Sequence, residues 1–120
     1  MLGYKFYFFI GLSLGQHRVC LKYKDMGDTI EDMCTVDRLL YQIAFTGPAE
    51  QIMGKCVSQI RIGKGAVACT ENIIQDLTTN TTTLIIKKSE LIYGEWKCYH
   101  GSHIGSDSVD IKMPGKYWTT

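Results

Sequence analysis

The nineteen residues from Thr82 to His100 constrain this chain most, because they hold two strand patterns joined by a corner. In the first, Leu84 and Ile86 alternate with Thr83, Ile85 and Lys87, the period-two pattern of a strand with one buried face. In the second, Trp96 and Cys98 share one face and Glu95 and Lys97 the other, while Gly94 marks the turn before it. An apolar pair therefore faces a core and an opposite-charge pair faces water.

The flanking sequence reads in the same way. His17 to Met26 is expected to form the first strand region, with Val19, Leu21 and Tyr23 on one face, Cys20 on the other and Gly27 at its end. Ile30, Cys34 and Val36 share a parity in the next segment. Leu40 to Thr46 puts Tyr41, Ile43 and Phe45 on one face, and Gly47-Pro48 breaks it. Gln51 to Ile62 and Ala66 to Ile74 are short apolar stretches separated by Gly63-Lys64-Gly65, a hairpin turn. Asp76 to Thr83 is a polar, threonine-rich loop, and Ser108 to Met113 alternates Val109, Ile111 and Met113 with Asp110 and Lys112 as a last strand. No heptad, repeat or amphipathic helix of useful length appears, so the expected fold class is all-β. A chain of 120 residues with 45% hydrophobic composition has room for one domain with one compact core.

Met1 to Leu14 carries one lysine, Lys5, then an apolar run from Phe6 to Ile10 and small residues through Gly11, Ser13 and Gly15. This is the pattern of a secretory signal peptide over residues 1–15, with a domain over 16–115 and a C-terminal tail over 116–120. A buried first strand is the other reading of the same run, which is too short to span a bilayer. Without Lys5, twelve basic residues face twelve acidic ones, and that balance gives no reason to expect a nucleic acid or an anionic membrane as partner. Five cysteines in a small chain bound for secretion point to disulfides. Cys56 and Cys69 lie on either side of the Gly63-Lys64-Gly65 turn, where residues on adjacent strands meet disulfide geometry if their registers match.

A Leu-x-Ile strand, a short corner and then Gly94-x-Trp96-x-Cys98 resembles strands E and F of an immunoglobulin-type domain, whose Cys reaches across the sandwich to a Cys on strand B. Gly27-Asp-Thr-Ile-Glu-Asp-Met-Cys34 resembles the family's Gly-x-x-Val-x-Leu-x-Cys approach into strand B. The resemblance covers residues 20–114 and implies an immunoglobulin-like Greek-key β-sandwich of two packed antiparallel sheets. It also implies a bond between Cys34 and Cys98. Closing that loop would stabilise the fold by roughly 4 kcal/mol on the chain-entropy argument, with no chemical role. Cys20 is then left over as a buried free thiol, as a link to a second chain in a disulfide-bonded dimer, or as a sign that another pairing holds.

Several positions depart from the family pattern. Asp32 stands where an inward aliphatic residue is usual, and burial of even a neutral polar group without a partner costs roughly 2 to 7 kcal/mol. A bulge that admits Met33 in its place is therefore expected. Strand C offers Ile43 or Phe45 where a Trp normally packs on the disulfide, and Trp96 is expected to fill that volume. Trp96 also replaces the tyrosine of the family's corner and Ile92 replaces an Asp, so the corner is expected to rest on packing or on another donor. Ser108-Val-Asp-Ile-Lys lacks the Phe-Gly-x-Gly of rearranging receptor chains.

Functionally, the resemblance implies a secreted or cell-surface module for adhesion, receptor or immune recognition, with another protein or a glycan as partner. Tyr99 to Asp107 falls between strands F and G, where such domains often carry a recognition loop, and Tyr99, His100, Ser102, His103 and Asp107 are the candidate contact residues. A plain solvated hairpin is the alternative there. Asn80-Thr81-Thr82 is an N-glycosylation sequon. His100, His103 and Asp107 match no metal-ligand spacing, and no nucleophile elbow, phosphate loop or HExxH pair is present, so neither an enzyme nor a cofactor is expected. A disulfide-stabilised inhibitor or toxin acting through the 99–107 loop, and a small-ligand carrier with an apolar cavity, are the other functional classes.

Overall fold

The computed structural model describes residues 18–57, 68–102 and 104–113. The expected signal segment, His17, the Gly63-Lys64-Gly65 turn, His103 and the 116–120 tail lie outside the described residues. Those residues form nine strands and no α-helix: β1 Val19–Asp25, β2 Thr29–Val36, β3 Ile43–Thr46, β4 Ile52–Val57, β5 Ala68–Cys69, β6 Ile73–Asp76, β7 Thr81–Lys87, β8 Gly94–His100 and β9 Gly105–Ile111. Glu90–Ile92 makes one 3-10 turn between β7 and β8, where the Ser89 hydroxyl accepts from the Leu91 amide at 3.2 Å.

Two antiparallel sheets result, one in the order β1-β2-β7-β6 and the other in the order β5-β4-β3-β8-β9. They pack face to face as an all-β sandwich, and the order is compatible with an immunoglobulin-like arrangement of nine strands. The core is built from the inward halves of the period-two patterns. Ile30, Cys34 and Val36 from β2, Leu84 and Ile86 from β7, Ile43 and Phe45 from β3, and Trp96 and Cys98 from β8 are all buried. Cys34 and Cys98 bond across the sandwich with their Cα atoms 6.4 Å apart. Cys56 and Cys69 face each other across β4 and β5 and form the second bond.

The departures resolve in different ways. The register of β2 runs unbroken against both neighbours, with Asp32 opposite Tyr23 and Leu84. No bulge turns Met33 inward: a shift of one residue in β2 would also move Ile30, Cys34 and Val36 off the core. Asp32 is consequently fully buried, and neither of its carboxylate oxygens has a hydrogen-bond partner. Phe45 lies beside the disulfide, paired with Cys98, so it stands in the place of the missing tryptophan of strand C. Trp96 holds the corner itself: its indole Nε1 donates to the Ile92 carbonyl at 2.7 Å, replacing the lost phenolic hydrogen bond.

Three segment boundaries also differ from expectation. The apolar stretch from Ala66 to Ile74 is divided, because a turn at Thr70 carries the chain from β5 in one sheet to β6 in the other. There the Ile73 amide donates to the Thr70 carbonyl at 3.2 Å and the Thr70 amide to the Lys55 carbonyl at 3.0 Å. Thr81 to Thr83 belong to β7 rather than to a loop, since their β-branched side chains suit a strand. Tyr41 lies ahead of β3, which begins only at Ile43, so it does not share the inward face of that strand.

Candidate functional site

The outer face of the five-stranded sheet is set by β8. Because Trp96, Cys98 and His100 point into the core, Glu95, Lys97 and Tyr99 point out. Tyr99 is half-buried and sits opposite two small residues, Ala44 on β3 and Ser106 on β9. A groove of about 490 Å³ runs beside it, with Tyr41, Gln42, Thr46, Val57 and Ser102 among its walls. A smaller depression of about 180 Å³ lies along the same strand and includes Glu50, Glu95 and Lys97. The face thus combines two tyrosines, amide and hydroxyl groups, and charges of both signs.

His100 secures the groove from inside. It is wholly buried, and its Nε2 accepts from the backbone amides of Tyr41 at 3.2 Å and Leu40 at 3.4 Å. Both donors are backbone N–H groups, so Nε2 presents its lone pair to them. The Tyr41 ring lies 5.4 Å from the imidazole, and the Gly101 amide donates to the Gln42 carbonyl at 2.7 Å. Gly101 has φ 70°, and a Cβ there would come within 2.8 Å of Ile104, so the turn requires glycine. The 37–42 segment and the 101–104 turn are therefore held together as one rim.

The five residues expected as a contact loop do not form one cluster. β8 extends through His100 and β9 begins at Gly105, which shortens the expected 99–107 loop to a turn at 101–104. Tyr99 is on the sheet face, Ser102 is exposed on the turn, and His103 lies outside the described residues. His100 is a brace rather than a surface group. Asp107 is half-buried: its Oδ2 accepts from the Leu21 amide at 2.8 Å and its Oδ1 from the Ser108 amide at 2.9 Å, tying β9 to β1 of the other sheet. The reading from sequence did not place Tyr41 or Gln42 at the groove, because it carried the alternation of Ile43 and Phe45 back to Tyr41, whereas β3 begins only at Ile43.

Asn80 lies in the turn between β6 and β7 at φ 55°, with its Nδ2 donating to the Asp37 carbonyl at 3.0 Å. The sequon hydroxyl, on Thr82, is buried and accepts from Gln75 Nε2 at 3.0 Å. Cys20 is exposed on β1, opposite Thr35, and is the free cysteine among the described residues, which corrects the reading of it as a buried thiol. Among the described residues no group of three or more His, Cys, Asp and Glu side chains is placed to hold a metal ion. No family model matches the chain, and no curated protein matches it.

Proposed function

We propose that the chain is an immunoglobulin-superfamily recognition module, secreted or displayed at the cell surface, that binds another protein or a glycan through the outer face of its five-stranded sheet. The observation that carries this reading is Tyr99, which lies on the outer face between the small residues Ala44 and Ser106 and lines a groove whose rim is held by His100. A rigid aromatic on a braced sheet gives large contact area at little conformational cost. Two intramolecular disulfides fit an oxidising compartment.

The test is the binding of multimerised, secreted chain to panels of cells, with and without prior removal of their surface glycans. Tyr99→Arg is expected to abolish the binding while leaving the near-ultraviolet circular dichroism of the domain unchanged. Binding that survives Tyr99→Arg places the contact elsewhere and removes this reading. Loss of binding on glycan removal identifies a sugar partner, and persistence identifies a protein.

A further inference from the structure

We propose that His100 is an acid-sensitive latch on the groove beside Tyr99. At neutral pH it holds the rim that carries Tyr41 and Gln42; on acidification the rim moves and a bound partner is released. Release of a partner rests on the recognition reading above, whereas the latch is a property of the chain alone. The Nε2 atom accepts from the Tyr41 amide at 3.2 Å and from the Leu40 amide at 3.4 Å, and neither backbone donor can accept in return. An imidazole that accepts at Nε2 carries its proton on Nδ1, so the next proton enters at Nε2 and turns the acceptor of both bonds into a donor that meets two N–H groups. His100 is also wholly buried, so the cation forms away from water. Both effects favour a rim that moves aside and lets water in, and histidine is the side chain that ordinarily changes charge between about pH 5 and 8.

The groups around the imidazole decide how far the opening spreads. From the 37–42 segment, the Tyr41 ring lies 5.4 Å away, tilted by 59°, and its attraction for a cation replaces neither the two amide bonds nor the lost hydration. Asp37 turns its carboxylate to the Arg18 amide at 3.3 Å, and Arg38 is exposed. β3 sets Ile43 and β9 sets Gly105 opposite His100, and the next acid on β9, Asp107, accepts from the Leu21 and Ser108 amides. On β8 itself Lys97 and Tyr99 point outward, and the inward neighbours of Cys34 in the other sheet, Val36 and Thr82, do not titrate. Tyr41 and Gln42 are walls of the groove, so movement of their segment alters it directly. Leu39, 3% exposed, stays anchored in the core, which confines the opening to residues 40–42 and to Gly101, whose amide donates to the Gln42 carbonyl at 2.7 Å. Acid has the opposite effect on Asp32, whose burial a proton relieves, so the rim loosens while the sandwich tightens.

The test follows the isotope-labelled, secreted chain by residue-resolved NMR and amide hydrogen exchange from about pH 7.5 to about pH 5. The Leu40 amide also donates to the Arg38 carbonyl at 3.0 Å, so the Tyr41 amide is the sharper reporter. As the His100 ring takes up its second proton, the Tyr41 amide is expected to lose about tenfold in protection, corrected for intrinsic exchange, while the amides of β2 and β7 keep theirs. His100→Gln offers a side-chain carbonyl to the same amides and does not titrate, so its Tyr41 protection is expected to stay level; its own spectrum reports whether it is folded, and if it is not, the pH series of the parent decides alone. Binding of the parent to cells is expected to fall about tenfold between the same two pH values and to recover on return, whereas binding by His100→Gln stays constant with pH. The latch is overturned if Tyr41 protection stays level in the parent, if it falls equally in a folded His100→Gln, or if β2 and β7 lose protection with it. A rim that opens while cell binding persists overturns the release of the partner. Absence of cell binding near neutral pH, or binding indifferent to Tyr99→Arg, removes the recognition reading instead, and the Tyr41 amide still decides the latch.

Discussion

Replacing Asp32 with Asn should change how the stability of this domain depends on pH, and the size of the change follows from the site. Asp32 is fully buried on the inner face of β2 between Tyr23 and Leu84, with both oxygens unpartnered. The buried polar side chains described alongside it are Thr82 and His100, and no buried lysine or arginine is among them. Desolvation therefore acts alone and pushes the carboxyl up from 3.8 to about 7. Because the folded-state value is raised, the unfolded chain releases this proton first. The stabilisation tied to holding it is fully present below about pH 3.8, declines above that, and is lost once pH rises through about 7. A shift of about three units corresponds to roughly 4 kcal/mol, at about 1.4 kcal/mol per pH unit across the window.

That quantity is a large part of the roughly 5–15 kcal/mol that holds a small domain together. Asparagine keeps the shape and removes the titration, so equilibrium urea unfolding of both proteins between pH 4 and 8 isolates the group while other carboxylates cancel. Near pH 4 the two should agree within about 1 kcal/mol, since a neutral acid is exchanged for a neutral amide. Above pH 7 Asp32→Asn should be the more stable by roughly 4 kcal/mol, which is on the order of 15–20 °C in Tm for a domain of this size. A difference between the two proteins that stays constant with pH would refute the reasoning, because it would mean that Asp32 is solvated or paired when folded.

Trp96→Phe should destabilise the domain by about 3 kcal/mol, from the loss of packing and of the hydrogen bond to the Ile92 carbonyl, whereas Trp96→Tyr should recover about 1 kcal/mol of that by offering its hydroxyl to the same corner. Urea unfolding of the three proteins checks this, and equal stability for the Phe and Tyr variants would show that the corner rests on packing alone. Cys20, exposed on edge strand β1, should link two chains when the protein is secreted, seen as a dimer band on a non-reducing gel that Cys20→Ser abolishes; a monomer band alone discards the dimer. Asn80 should carry a glycan in a eukaryotic host, because the sequon is modified before Thr82 is buried, and peptide N-glycosidase should then shift the band of the parent protein and not that of Asn80→Gln. A parent band that the enzyme leaves in place rules the glycan out.

The parts of the fold legible in the sequence are those that a strand determines locally. Alternation placed Leu84, Ile86, Trp96 and Cys98 on the inner face, and Val19, Leu21 and Tyr23 towards the core, because side-chain direction follows backbone parity. What parity cannot supply is where pairing stops. The 99–107 segment reads as a loop by composition, yet Tyr99 pairs with Ser106 and His100 with Gly105, and a ladder partner on another strand is invisible to a single-strand pattern. The same holds for the change of sheet at Thr70 and for the end of β6, whose pairing with β7 stops at Ile73 opposite Leu84. Tyr99 as a surface aromatic was legible, while the groove beside it depends on Tyr41 and Gln42 from a distant segment.

Composition also misleads at inward positions that carry polar side chains, where the hydrophobic pattern argues against burial and the register decides for it. Thr82, His100 and Asp32 are all buried by strands whose other inward residues are apolar, and each is accommodated differently. Thr82 accepts from Gln75, a neighbour across the β6–β7 pair, and His100 accepts from two backbone amides of the segment before β3. Asp32 has only the interior strands β2 and β7, the edge strand β1 and the apolar core around it, where backbone donors are already spent on the ladders. A proton from solvent is the partner left to it, so its burial is tolerated at one pH and opposed at another, whereas Thr82 Oγ1 and His100 Nε2 draw their hydrogen bonds from the chain itself.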